Sequence, residues 1–408
     1  MKRKWILFST MMISMAFLSG CWSKKELSEL ALISAVGIDR DEDGNYMKAI
    51  QIINPGNVSS GLQGGGGGQA PGVTVITAEG KSIVDVHINA SAEISRQLYH
   101  PHANLIVIGE DLAREQPLNT LLDSFDRNAE FRNTAQLVIA KKSPAADLIK
   151  VLSPVEKLPS EKIYKTLDVT EKMRGENITV SLQDFIKTSA SPGIEPVLSS
   201  FTLEGDVKEG KKQENIQQSQ PETIVKADGL AIFKEDKLVD FYSGNMARGV
   251  VWILDRVKQT DVLLDWKKNK DAITYSVIRQ STSVSADTSK DLPEITVNVK
   301  AEGMIRETEA PVKLDDPNVI HELEKTAEKE IKEQLERTVK QTQNKKTDIF
   351  GFGQTVYRKD ADKWKKLRNN WNDDYFPNLK VKVNVDAFIR RTGLRTAPNL
   401  SEIKEKYE

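Results

Sequence analysis

The chain has a single cysteine, and it stands at position 21, just after an uncharged stretch from Trp5 to Leu18. One thiol permits no internal disulfide, no cysteine-based zinc site and no redox pair, so the fold must be held by its core. The flanks say what the thiol is for. Lys2, Arg3 and Lys4 form a cationic start, the stretch behind them is mostly apolar, and Leu18-Ser19-Gly20 leads directly into Cys21. A run of this length is a secretory h-region, too short for the ~20 apolar residues of a membrane-spanning helix.

Small residues ahead of a cut let a peptidase take the backbone in extended form, and a cysteine behind it offers a thiol for a thioether to diacylglycerol. Leu18 to Cys21 fit that pattern, the bacterial lipobox, at all four positions. The expectation is a lipoprotein: residues 1–20 a signal peptide, Cys21 an S-diacylglycerol cysteine with an N-acyl chain such as palmitate. One acyl chain holds marginally and two or more hold firmly, at ~0.8 kcal/mol per buried CH₂. Processing removes three cations and leaves 55 basic against 59 acidic residues, a formal charge of −4. With only Lys24 and Lys25 near the anchor, lipid and not electrostatics does the holding. A near-neutral chain with 6% aromatics is also no nucleic-acid binder.

No later run reaches 18 apolar residues, so the rest is expected to be soluble and extracytoplasmic. Strands are expected at 30–38, 46–53, 73–78, 104–109, 134–141 and 197–204, with helices over 81–98, 112–125, 145–152, 160–173 and 184–189. Residues 54–72 hold 8 of the 24 glycines, including Gly64 to Gly68, and read as a loop between two strands. Residues 205–222 are almost wholly polar and read as a linker or an exposed hairpin tip. Beyond them come a hairpin at 224–242, a helix at 245–257, and strands at 262–266, 273–285, 294–306 and 381–389. A long helix starts at Asp315 or Asp316 with Pro317 in its first turn. The fold class is therefore mixed α/β (α+β), multi-domain, each domain a mixed or antiparallel sheet flanked by helices. The N-terminal region spans 21–204, divisible at about 142/143; a C-terminal domain covers 223–395, and 396–408 form a tail.

Most candidate chemistry fails on spacing. His100-Pro101-His102 brings two imidazoles close, but no cysteine or acidic pair stands at ligand distance, so a loop is expected and no metal. Asp39 to Gly44 imitates half of a calcium loop, yet its twelfth position is Ile50, and Asp43-Gly44 between apolar runs signals a hairpin turn. Gly351-Phe352-Gly353 follows a helix and not a strand, which fails the dinucleotide fingerprint. No Gly-x-Ser-x-Gly occurs. No enzyme and no cofactor are expected.

Three stretches carry more than composition. Cys21-Trp22-Ser23-Lys24-Lys25-Glu26-Leu27 leads through Leu30 to Ile33 into Gly37-Ile38-Asp39. Gly229 to Lys234 is followed by Asp236-Lys237-Leu238. Asp348 to Gly353 precedes Tyr357-Arg358-Lys359, Trp364, Trp371, Phe376-Pro377 and the strand ending at Ile389 to Gly393. Together these resemble the Ger(x)C family, the C-subunit lipoproteins of spore germinant receptors, over essentially the whole chain after Cys21. Ser23 departs from the acidic residue common there. The resemblance implies an anchored protein on the outer face of the spore inner membrane, working with two integral-membrane subunits in nutrient-triggered germination. It implies several α/β domains and carries no catalytic residues; direct germinant binding by this subunit is left open.

Phe350, Phe352, Trp364 and Trp371 are the residues to watch, because aromatic anchors often dock partners. Two readings compete: core of the last domain, or partly exposed rings that meet a membrane subunit. Burial of both tryptophans removes the docking reading. The rival functions are a solute-binding lipoprotein of a transporter and an envelope hydrolase.

Overall fold

The structure is a computed structural model that describes residues 26–59, 70–127 and 131–391, with Arg3 and Trp5 besides. Cys21, the rest of the leader, Gly64 to Gly68 and the tail 396–408 lie outside the described residues.

Apolar runs bounded by turn residues give the strands of a first sheet. Its members are β1 (Leu30–Arg40), β2 (Tyr46–Ile53), β3 (Val73–Gly80), β4 (Gln97–Tyr99), β5 (Leu105–Gly109), β6 (Gln136–Ala140), β7 (Val197–Gly205), β8 (Thr223–Lys234) and β9 (Lys237–Tyr242). The order is β3-β2-β1-β5-β6-β7-β8-β9, with the short β4 beside the start of β1. The centre, β1-β5-β6-β7, is parallel and the outer pairs are antiparallel. Strands buried on both faces read as continuous apolar runs, and Leu105–Gly109 is buried throughout.

Helices cover both faces. The longer ones are α1 (Ile83–Ser91), α2 (Glu110–Glu115), α3 (Leu118–Asp126), α4 (Pro159–Met173) and α5 (Leu182–Ser189). Pro117 stands at the N-cap of α3, so the expected helix over 112–125 is two helices. The expected helix over 81–98 also ends early. Its last residues form β4, because Gln97 to Tyr99 pair with Leu30 to Leu32. Two of its apolar residues, Val84 and Ile88, are exposed.

A second sheet follows: β10 (Thr260–Trp266), β11 (Asn269–Asp287), β12 (Glu294–Thr308) and β13 (Lys380–Arg391), in that order. Between the sheets lies α6 (Gly244–Ile253). The long α7 (Pro317–Asn344) packs on the second sheet through Leu323, Ala327, Ile331, Leu335 and Val339. Asp316 caps it by accepting from the backbone N–H of Asn318. Then come α8 (Phe352–Lys359) and α9 (Ala361–Leu367).

Residues 205–222 join β7 to β8, which pair antiparallel from Val197↔Ile232 to Gly205↔Thr223. Two helical turns fill the connection, and Asn215 is buried there, its side chain donating to the carbonyls of Leu152 and Thr223. One contiguous buried cluster runs from Leu112 and Phe125 under the first sheet, through Phe233 and Trp252, to Val297, Leu335 and Trp371. A smaller cluster lies between the other face of the first sheet and α4, around Val107, Val138, Ile163 and Phe201.

Candidate functional site: the seam between the two sheets

Asp348 is fully buried just past the end of α7. Its carboxylate accepts from the backbone N–H groups of Phe350 (3.2 Å), Phe352 (3.1 Å) and Gly353 (2.7 Å), and from the indole N–H of Trp371 (2.8 Å). Four donors on one acceptor turn the chain tightly, and Gly351 takes φ +73° to allow it. Burial nevertheless wins over these bonds and raises the Asp348 carboxyl to about 6.

The turn is clamped to the first sheet's last crossover loop. The Glu195 backbone N–H donates to the Asp348 carbonyl (2.8 Å), and the Gln354 N–H to the Gly193 carbonyl (3.0 Å). Gly193 has φ +68°, and a Cβ there would lie 2.5 Å from the Gly353 carbonyl carbon. A Cβ on Gly353 would meet Trp371 Nε1 at 2.7 Å. The Glu195 side chain accepts from the Glu235 N–H (2.8 Å) and Asn372 Nδ2 (2.7 Å), while Asn372 Oδ1 accepts from the Asp348 N–H (3.0 Å). Burial, then the nearby Asp236 and Asp348, raise Glu195 to about 7 against its two accepted bonds. A polar cleft of about 310 Å³ opens beside this network, between Ser189, Asp236, Arg368 and Asp373. On the other side of the same loop lies a second cleft of about 340 Å³, reaching α5 and α8.

The four aromatic residues for which core and docking readings compete belong to this seam as core. Phe350 and Trp364 are 6% exposed, Trp371 3% and Phe352 0%. Phe350, Phe352 and Phe376 pack ring against ring, and the Trp364 and Trp371 rings meet edge-on at 5.2 Å. That corrects the docking reading: rings closed off by glycine backbone and by each other present no face to a partner. Trp364 and Trp371 do not share a continuous α-helix either. A 3₁₀ turn at Arg368–Asn370 intervenes, and Trp371 opens a π-turn that runs to Tyr375.

The other candidates resolve locally. Asp39 caps the helical turn Ala145–Leu148, accepting from the N–H groups of Ala145 and Ala146 at 2.8 and 3.0 Å. Asp41 closes the β1–β2 turn by accepting from the Asn45 backbone and side chain. His100 is buried against Phe131 and His87, and burial, with Lys48 and His87 adding to it, lowers it to about 3. Lys48 is itself buried over Phe125 and Phe131, at 5.8 and 5.9 Å from their centroids. No group able to hold a metal ion occurs among the described residues, and no helix among them is long and apolar enough to cross a membrane. Glu195, Gly193 and Asn372 had no signal in the sequence. A second buried carboxylate, Glu171, was equally silent; it faces Arg256 Nη2 (3.2 Å) and Lys258 Nζ (3.3 Å).

Two helix-flanked sheets locked by such a seam define a mixed α/β protein of the fold seen in the crystal structure of the GerBC protein. That structure matches with TM-score 0.55 and 20% identity, over 87% of this chain and 97% of its own. The profile of the spore germination protein N-terminal domain matches residues 23–203, and that of the spore germination B3/GerAC-like C-terminal domain matches residues 228–393. Spore germination protein KC of Bacillus subtilis (strain 168) is 41% identical over 406 residues, covering 99% of this chain and 100% of its own. Spore germination protein B3 of the same organism is 25% identical over 396 residues, 95% and 97% of the two chains. The chain therefore belongs to the GerAC-like family of spore germination proteins, as the resemblance read from its motifs implied.

Proposed function

We propose that this chain is the lipid-anchored, non-enzymatic C subunit of a nutrient germinant receptor. Acylated Cys21 holds it on the outer face of the spore inner membrane, where it acts with two integral-membrane subunits. The observation that carries this reading is the end-to-end relationship to spore germination protein KC, joined to a lipobox at residues 18–21. Two or more acyl chains give firm anchoring without a membrane-spanning helix.

Cys21→Ala tests the anchor, with Cys21→Ser as a second variant. Both should leave the membrane fraction, and their spores should respond to single nutrients far more slowly than the parent. An unchanged membrane share sinks the anchor. For the assembly, a tag on the C-terminus should bring down two polytopic proteins from gently solubilised spore membranes; recovery of the chain alone counts against the receptor role.

A further inference from the structure

The cleft of about 340 Å³ lies where the two sheet regions meet, and its two walls come from different regions. One wall is α5 with the loop 191–197; the other is Leu254, Arg256, Ile349 and the α8 residues Gln354 and Arg358. Both are already fixed. The Gln354-to-Gly193 and Glu195-to-Asp348 backbone bonds tie them together at 3.0 and 2.8 Å. A cleft of this kind is preformed, and its volume sits at the low end of small-ligand pockets, ~300–1,000 Å³.

The lining is divided by chemistry. Leu254 and Ile194, both half-buried, make an apolar floor backed by the buried Ile178, Phe185 and Ile349. Three cations, Lys187, Arg256 and Arg358, line it as well, and all three are exposed. Arg256 is held by Glu171 (3.2 Å) and by the Thr179 carbonyl (3.0 Å). Among the described residues neither Lys187 nor Arg358 has a salt-bridge partner. The two carboxylates that also line the cleft are engaged elsewhere. Asp184 closes the capping box of α5 with Ser181, and Glu195 accepts from Glu235 and Asn372. Cations without carboxylate partners, set beside an apolar floor in a small rigid cleft, suit one class of ligand.

We infer that this cleft binds a small amphiphilic carboxylate, its carboxylate met by Arg358 and Lys187 and its short apolar body lying on Leu254 and Ile194. Charge-assisted bonds from a guanidinium fit a carboxylate in planar, two-pronged fashion, while the ammonium acts as a point charge. An amine of the same shape would face three cations, with only Asp184, already engaged at the cap of α5, and Glu195 to set against them. This site stands apart from the receptor reading, since it needs neither the anchor nor the membrane subunits.

The test is calorimetric titration of the full chain, solubilised in detergent, with 4-methylvalerate and 3-phenylpropionate. Their amides, the matching amines and inorganic phosphate are the controls. The expected result is saturable binding of the carboxylates, at least about tenfold tighter than the amides, with no binding of the amines. Arg358→Gln and Lys187→Gln, both at exposed positions, should each weaken carboxylate binding by about tenfold, the scale of one hydrogen bond to a charged group. Unchanged melting temperatures would show that both variants fold. No heat from either carboxylate at 10 mM, equal binding of the amides, indifference to both substitutions, or phosphate binding as tightly as the carboxylates would each overturn the assignment.

Discussion

At the scale of single residues, Glu195 shows how a half-buried acid couples the seam to pH. Its carboxyl is raised from 4.5 to about 7, so between those values the native state holds a proton that the unfolded chain has released. Stability then falls as pH rises through 7. From pH 6 to pH 8 the loss is about 1 kcal/mol, and Glu195→Gln removes it. The comparison to make is chemical denaturation of parent and variant at both pH values; the same slope in both would show that Glu195 does not titrate in this window. Two other buried groups act with the opposite sign and mainly outside it. His100, lowered to about 3, withdraws stability as pH falls below its ordinary 6.5, and Lys48, lowered to about 8, adds stability as pH rises above that value. How these residues titrate was not legible in the sequence, which displayed His100 only as a rejected metal ligand, because burial decides their behaviour and burial is a tertiary property. Asp348 stood inside a motif the sequence displays, but its role as a fourfold acceptor depends on Trp371, 23 residues further on.

At the scale of elements, the sequence was most readable where periodicity and end signals agreed. Tyr46–Ile53 is the strand its apolar run predicts, and α7 begins at Pro317 behind an Asp316 cap, as expected. Readings failed where one element recruits another. Gln97 to Tyr99 leave a helical pattern to pair with β1, and the chain from Trp364 to Trp371 passes out of α9 into 3₁₀ and π turns as the two rings close on Gly353. The seam itself was half visible: Gly351 and Gly353 announce a turn, whereas Gly193, its partner, lies 160 residues from Gly353 and carries no local signature. Two glycines in backbone contact predict intolerance at both. Gly193→Ala forces a Cβ into the Gly353 carbonyl carbon at a positive φ, and should cost at least about 2 kcal/mol by combined strain and overpacking. Thermal melting reads it directly. A substitution that left the melting temperature within a degree would mean that the α8 turn yields easily and the seam is no clamp.

At the scale of the whole molecule, the family profiles part between residues 203 and 228, close to the polar stretch 205–222. The sheet does not part there. β7 and β8 pair across it along nearly their whole length, and β8 with β9 completes a sheet whose other strands all precede residue 206. Further ties cross from one half to the other: Glu171 to Arg256 and Lys258, Glu176 to Arg248, and the Glu195 N–H to the Asp348 carbonyl (2.8 Å). The main apolar cluster is shared as well. Two units that share strands and core should unfold together, since neither can bury its apolar surface alone. We therefore expect one cooperative transition for the full chain in scanning calorimetry, with calorimetric and van't Hoff enthalpies in agreement. Fragments 21–204 and 223–395, cut where composition and profiles both suggest, should each lack cooperative melting: the first leaves the β7 edge open, and the second leaves β8 unpaired on that side and the Asp348 turn without Gly193. Cooperative melting of 223–395 alone, or two separated transitions in the full chain, would place an independent folding boundary at 205–222 and reduce the shared sheet to a late docking event.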